Sequence, residues 1–451
     1  MSTQPLHFNL FTMNAVEHVS PGTWTIPGDQ SHRYTDRDYW TSVARTAERG
    51  GLDAIFFADV RGIYDVYEGN RDPAIERAIQ TPSNVPQALV PAMAEVTDHV
   101  GFAVTRSTSY THPYQLAREL STLDHVTDGR IAFNIVTSYL ESAARNLGLE
   151  GRIEHDERYD RADEFMDVCY RLWEDSWEDD AIVRDANPGT YTDPEKVHAI
   201  DFEGEYFSVP GPHGCEPSPQ RTPVLYQAGS SDRGRRFAAS NAEAVFVSQP
   251  TKEATRAYVE DMRERATAAG RDPESIKFFP GIVVITGETE ALARETHETY
   301  RDHVSVEGTL SLLSGFMDTD LSTLDPDQPV EHIETDAIQG AINAFTKNDP
   351  DREWTVGEVA RFAGLGSTSP VLVGSPEQVV DELEDWRDEV GIHGFNLKEV
   401  TRPGTLQKFV DLVVPVLRER GLIRTSYEGS TLRENLHGQR QLAADHPARR
   451  E

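Results

Sequence analysis

The sequence predicts an α/β fold, a (β/α)8 TIM barrel with insertions. Two observations carry this. Eight short apolar runs rich in β-branched and aromatic residues recur along the chain, and they are continuous rather than alternating, as in a parallel sheet covered on both faces. Amphipathic helical stretches lie between most of them, and 451 residues suit one large barrel with insertions. A doubly wound sheet is the rival, but it rarely needs eight such units.

In chain order the strand segments are Leu6–Phe11, Ala54–Ala58, Val100–Thr105, Ile131–Val136, Pro223–Ala228, Ala244–Val247, Lys277–Ile285 and Phe395–Leu397. Helical periodicity falls on Asp38–Arg49, Pro113–Val126, Glu157–Glu174, Arg233–Ala239, Lys252–Ala269 and Pro376–Val390. Pro113 and Pro376 open their helices, where a missing N–H costs little. The expected organisation is one barrel domain over 1–424, interrupted at about 59–85, 176–222 and 286–371. The last insertion carries helical patterns at Glu288–His303, Glu334–Phe345 and Val356–Ala363. Loops this long are usually lids or partner-binding segments. The tail, 425–451, is expected to be weakly ordered or docked on a partner subunit.

Charge and composition exclude several classes. The formal net charge is −33, which repels nucleic acid and anionic membranes. No apolar run approaches the roughly 20 residues of a membrane span, and no secretory signal opens the chain, so the expected location is the cytoplasm. Two cysteines, Cys169 and Cys215, support neither a disulfide framework nor a cysteine metal site.

No phosphate-loop, HExxH, CxxC, GxSxG or GxGxxG motif is present. The polar residues of interest sit where a barrel places its chemistry, at the C-terminal ends of strands. Asp59 follows Phe56-Phe57-Ala58 and points out of the mouth, as a ligand contact or a loop-ordering carboxylate. Thr105 ends the third strand and is either a hydroxyl for a polar ligand or an ordinary strand residue. Asn134, inward-facing on the fourth strand, needs hydrogen-bond partners that a bound heterocycle or a neighbouring backbone could supply. Gln227-Ala228-Gly229-Ser230-Ser231 leads directly into a helix. A glycine and two hydroxyl residues there leave N–H groups free for an anion, or simply form a capped turn. His155 and Tyr159, four apart, share one helix face and can both donate to phosphate, or form a solvated first turn.

Several of these stretches, in this order, resemble one family. Gly51-Leu52-Asp53-Ala54-Ile55-Phe56-Phe57-Ala58-Asp59, Pro113-Tyr114-Gln115-Leu116-Ala117-Arg118, Leu123-Asp124-His125, Asn134-Ile135-Val136-Thr137-Ser138, His155-Asp156-Glu157-Arg158-Tyr159, Leu172-Trp173-Glu174-Asp175-Ser176-Trp177 and Gln227-Ala228-Gly229-Ser230-Ser231 are similar to the nitrilotriacetate/dibenzothiophene-sulfone/dimethyl-sulfide monooxygenases of the bacterial-luciferase-like superfamily, over about residues 34–420. The resemblance implies a barrel that binds reduced FMN (FMNH2) at its mouth. Carried over by motif, Asp59, Thr105, His155, Tyr159 and Ser230 correspond to FMN contacts, with Asn134 and Ser231 as neighbours. Ser230, Ser231 and Tyr159 are then expected at the phosphate, and Asp59, Thr105 and Asn134 nearer the ring and ribityl chain.

The implied activity is two-component monooxygenation. An NAD(P)H-dependent flavin reductase supplies FMNH2, O2 is activated as a sheltered C4a-(hydro)peroxyflavin, and a small amine, sulfide or sulfone is oxidised. A homodimer or homotetramer is implied as well. An F420-dependent oxidoreductase and a non-enzymatic flavin-binding protein remain as alternatives on the same barrel. The sequence departs from the family at Asn14-Ala15-Val16-Glu17-His18-Val19-Ser20, at Arg106 and at Phe133, which leaves the substrate open. His18, Tyr64 and Arg106 are candidates for the substrate side.

Only six of the 43 basic residues are lysines, and the 76 acids are dispersed along the chain. Such a surface suits a high-salt cytoplasm, where cations screen self-repulsion. A halophilic protein is therefore expected to lose its circular-dichroism signal in dilute buffer and regain it in molar KCl; an unchanged spectrum across that range would contradict the assignment.

Overall fold

The computed structural model describes residues 5–329 and 354–449. Eight parallel strands form a closed ring: β1 (His7–Met13), β2 (Ala54–Ala58), β3 (Gly101–Ser107), β4 (Ile131–Val136), β5 (Val224–Gln227), β6 (Ala244–Val247), β7 (Lys277–Thr286) and β8 (Gly394–Lys398). Each of the eight predicted segments supplies one strand. Neighbours in sequence pair around the ring, and the His7–Gly394 register of β1 with β8 closes it. A further strand, Val371–Gly374, adds to the upper half of β7 (Val283–Thr286) outside the ring. It falls at the end of the predicted third insertion.

The strands read as continuously apolar because both of their faces are buried. Outward residues such as Phe8, Ile55, Phe57, Phe102, Val104, Phe133 and Leu225 pack under the helices. Inward residues fill the barrel by pairing large with small: Phe11, Phe56, Tyr226, Phe246 and Phe279 interleave with Ala54, Ala103, Ala132 and Ala244. The ring centroids of Phe56 lie 5.2 Å from Phe11 and 5.3 Å from Tyr226, edge to face.

Helices Pro113–Val126, Pro376–Val390 and Val356–Ala363 occupy the predicted spans. The helix predicted over Glu157–Glu174 starts earlier, at His155, and passes after Tyr170 into a π-helical turn, Arg171–Asp175. Helix Val306–Met317 was not predicted. Its sequence, VEGTLSLLSGFM, is buried over most of its length, so it shows no polar stripe for periodicity to find. The 176–222 insertion holds two small hairpins, Ile182–Asp185 with Thr190–Thr192 and Phe202–Glu203 with Ser208–Val209. The predicted helix Glu334–Phe345 lies outside the described residues.

The described part of the tail corrects the expectation of a loosely held segment, since it packs on its own barrel. Thr431 and Glu434 form a capping box on helix Leu432–His437. Leu432 and Leu436 then close the base of the barrel against its inward core. Between them Arg433, fully buried, donates from Nε and Nη2 to Glu243 at 2.7 and 3.0 Å and from Nη2 to the Thr222 carbonyl at 2.7 Å. The pattern LRENLH is too short to announce a docking helix, because its apolar face is two leucines wide.

Burial alone would raise the Glu243 carboxyl, but the Arg433 guanidinium overrides it and holds the pKa at about 2, against 4.5 ordinarily. Its contribution to stability is therefore full above pH 4.5 and is lost as the pH falls toward 2. Arg433→Ala, which strands a buried carboxylate, is expected to lower the urea-unfolding free energy at pH 7 by about 3–5 kcal/mol. A loss under 1 kcal/mol would show that the tail does not hold the base.

Candidate functional site

A cavity of about 440 Å3 opens at the C-terminal ends of β2, β4 and β5. Of the seven predicted site residues, Asp59, His155, Tyr159, Ser230 and Ser231 line it. Thr105 and Asn134 do not line it. They sit in register on the inner faces of β3 and β4 and bond to each other. Thr105 Oγ1 donates to the Phe57 carbonyl at 2.7 Å and accepts from Asn134 Nδ2 at 2.8 Å. Asn134 Oδ1 is buried and has no partner among the described residues. An orphaned acceptor of this kind calls for a donor from outside the described residues, a water or a ligand N–H included.

The turn after β5 explains how Ser230 and Tyr159 meet. Gly229 donates its N–H to Gln227 Oε1 at 2.5 Å, and Tyr258 Oη donates to the Gly229 carbonyl at 2.7 Å. A Cβ on Gly229 would stand 2.7 Å from the backbone C and O of Gly234, so only glycine lets the turn fold onto the next helix. Ser231 caps helix Asp232–Asn241, its Oγ accepting from Gly234 N at 3.1 Å. The Tyr159 hydroxyl lies against the same first turn, 2.6 Å from where a Gly234 Cβ would be. Ser230 is exposed to the cavity, and its hydroxyl makes no hydrogen bond among the described residues. The His155 ring stands edge-on to Tyr159 at 5.3 Å, and its Nδ1 pairs with Asp156 at 2.7 Å.

Charge is unevenly placed in the cavity. Burial pushes Asp59 up to about 6, against the pull of Arg61 and Arg106. Burial likewise raises the Tyr159 phenol, opposed by Arg158 and by the Ser231 and Thr137 side chains. Arg158 was missed in the sequence reading. It is buried at the cavity wall, donates to the Ser138 carbonyl, and leaves Nε without a partner. Ser138 itself is in the left-handed region at φ 58°. The signal was present, since Arg158 lies inside the quoted His155–Tyr159 motif. An arginine in an acidic first turn, however, looks like a solvated ion-pair partner until the fold buries it.

A second wall is apolar and comes from the first and third insertions and from the segment after β4. Phe316, from the unpredicted helix, stands 6.0 Å from the rings of both Tyr64 and Tyr139. The two tyrosine hydroxyls hydrogen-bond, and Tyr64 also donates to Gln80 Oε1 at 3.2 Å. Gln80 Nε2 in turn donates to the His18 carbonyl at 2.7 Å, which brings two of the three substrate-side candidates into one network. Arg106 is a correction. Adjacent strand residues alternate, so with Thr105 inward Arg106 points out, where it pairs with Glu119 of helix Pro113–Val126 at 2.6 Å.

Comparison with known proteins follows the same lines. The luciferase-like monooxygenase family model matches residues 14–394. The dimethyl-sulfide monooxygenase of Hyphomicrobium sulfonivorans is 48% identical over 442 residues, 98% of this chain and 92% of that one. The crystal structure of DmoA from that organism superposes with a TM-score of 0.95 at 47% identity, over 99% of this chain and 95% of that one. The long-chain alkane monooxygenase of Geobacillus thermodenitrificans is 48% identical over 99% of this chain and 98% of its own length. A riboflavin lyase crystallised with modified FMN and riboflavin shares 35% identity over 99% of both chains, with a TM-score of 0.89. A barrel of this topology, with this extent of identity along nearly its whole length, places the chain in the luciferase-like monooxygenase family.

Proposed function

We propose that this chain is the oxygenase half of a two-component system, an FMN-dependent monooxygenase that takes its flavin up as FMNH2 from a separate NAD(P)H-dependent reductase and oxidises a small amine, sulfide or sulfone. One observation carries the reading: a cavity lined at a helix N-terminus by Ser230, Ser231, Tyr159 and His155, with the unpartnered buried acceptor Asn134 Oδ1 one residue from Ile135 of its lining. The relatives named for dimethyl-sulfide and alkane oxidation, and the modified FMN in the riboflavin lyase structure, support it.

The residues present fit a flavin mononucleotide. The free Ser230 hydroxyl, the Tyr159 hydroxyl, the His155 ring and the first-turn N–H groups beside Ser231 form an anion-holding end. Arg158 adds a buried positive charge at the same wall. Asn134 Oδ1 is an acceptor for a heterocycle N–H, kept in place because its own amide is committed to Thr105. Asp59, at the end of β2 in the same cavity, would serve the ribityl hydroxyls. Reduced FMN supplies the electrons that activate O2 for transfer of one oxygen atom.

The chain's part is to orient and to keep water out. Two insertions share that task. Arg77 of the first pairs with Glu307 of the third at 2.7 Å, and Glu68 N donates to Asp320 at 3.0 Å, clamping them together over the mouth. A Cβ on Gly315 would fall 1.9 Å from the Tyr64 ring, so the helix must carry glycine there to sit this close. The apolar wall of Phe316, Leu140 and Ala143 favours a small substrate with little charge.

Titration of purified protein with FMN and FMNH2, followed by O2 uptake with a panel of amines, sulfides and sulfones, tests the function; binding of neither flavin form ends the proposal. Ser230→Asp sets a like charge against the phosphate and is expected to weaken FMN binding tenfold or more, about 1.4 kcal/mol, while Thr299→Asp on an exposed helix face leaves it unchanged. Equal affinities would remove Ser230 from the site. Asp59→Asn is expected to separate stability from binding. Because the folded pKa is about 6 and the ordinary value 3.8, the ionised carboxylate costs stability above pH 6 and nothing below about pH 3. The variant should gain about 1–2 kcal/mol in unfolding free energy at pH 8, none at pH 3, and bind FMN more weakly. A variant no more stable than wild type at pH 8 would refute the desolvated carboxylate.

A further inference from the structure

Lys398 is the last residue of β8, and its amine lies inside the barrel mouth. Its Nζ stands 5.9 Å from the Phe11 ring and 5.7 Å from the Phe246 ring, both inward-facing. The residue is 5% exposed. β8 lies four strands round the ring from β4, so Lys398 and Asn134 face each other across the mouth.

This amine lacks a counter-ion among the described residues. Its one hydrogen bond goes to the Gly366 carbonyl at 2.9 Å, and none of the ion pairs includes it. The acids of the same region are otherwise engaged. Glu399 pairs with Arg402 at 3.6 Å. Glu17 accepts from Ser20 N at 2.5 Å, and burial pushes its carboxyl up to about 7 despite that bond and Arg402. His18 offers no negative charge, and burial, Arg402 and Lys398 together hold it neutral. Burial alone brings Lys398 down to about 7. An unpaired ammonium buried in this way is costly and gains most from a ligand that brings one negative charge.

We propose that Lys398 is the counter-ion of the anionic, reduced flavin ring, so that this one amine makes the protein favour FMNH2 over oxidised FMN. The inference rests on the FMN reading above and adds to it a residue and a basis for redox selectivity. The phosphate end cannot supply that selectivity. Phosphate carries the same charge in both redox states, so Ser230, Tyr159 and the helix terminus hold both equally. Only the ring changes charge: oxidised it is neutral, and reduced by two electrons it readily gives up its N1 proton. A fixed positive charge near the ring is the lever by which a protein tunes it. Asn134 Oδ1, across the mouth, would accept from the one ring N–H present in both redox states, so it does not distinguish them. An oxygenase that must release oxidised flavin and accept a reduced one benefits from this difference.

The experiment compares dissociation constants of oxidised FMN and, without oxygen, of FMNH2 for wild type, Lys398→Met, Lys398→Gln and Lys398→Arg. Wild type is expected to bind FMNH2 the more tightly. Both charge-free variants should lose at least tenfold of that preference, equivalent to lowering the two-electron potential of the bound flavin by about 30 mV, with oxidised FMN held within twofold of wild type. The arginine variant should keep the preference. Removing a buried, unpaired charge favours folding, and circular dichroism checks each variant. A preference unchanged in both Met and Gln, or a wild type that binds the two forms equally, overturns the role of Lys398 and leaves the FMN site standing. A wild type that binds neither form overturns both.

Discussion

Closure of eight parallel strands into one ring is the constraint on which the site depends. A closed parallel ring has no free edges, and it brings all eight strand C-termini to a single rim. Side chains distant in sequence, Asp59, Asn134, Ser230 and Lys398, thereby come to the same end of the barrel without any local signal joining them. The interior below is filled by interleaved phenylalanine, tyrosine and alanine, so a ligand can only lie across the top.

On that rigid ring the polar groups form two ends with different physics. At the β5 end, a glycine turn and a helix N-terminus present hydroxyls and N–H groups to an anion, partly in solvent. At the β8 end, burial governs. Glu17, His18 and Lys398 are all displaced toward their neutral forms because little water reaches them. The first end suits tight but indiscriminate holding of a phosphate. The second is where a change of one charge on a ligand is felt strongly, since few dipoles can relax to screen it.

The insertions are structural partners of each other as much as of the barrel. Tyr64 from the first and Phe316 from the third build the apolar wall together, and the Arg77–Glu307 and Glu68–Asp320 contacts hold them in register. At the other end of the molecule the tail plays a matching role. Leu432, Arg433 and Leu436 seal the base and tie the last residues to Glu243 at the start of β6.

Apolar continuity and spacing were enough to specify the ring: all eight strands, the helices that open with Pro113 and Pro376, and the capped turn at Gly229-Ser230-Ser231 depend on interactions within a few residues or on burial that composition reports directly. The motifs also pointed to the residues of the rim. What only the tertiary structure decided was which polar groups are buried and against what. Arg158 and Lys398 read as ordinary charges in the chain, and burial leaves each with unpaired donors. Arg106 reads like Thr105's neighbour at the rim, yet strand alternation turns it outward to Glu119. Helix Val306–Met317 and the docked tail escaped because their apolar faces are satisfied by other elements, Leu310 and Leu313 by helix Val356–Ala363 and Leu432 and Leu436 by the barrel interior, and no local pattern records such a partner.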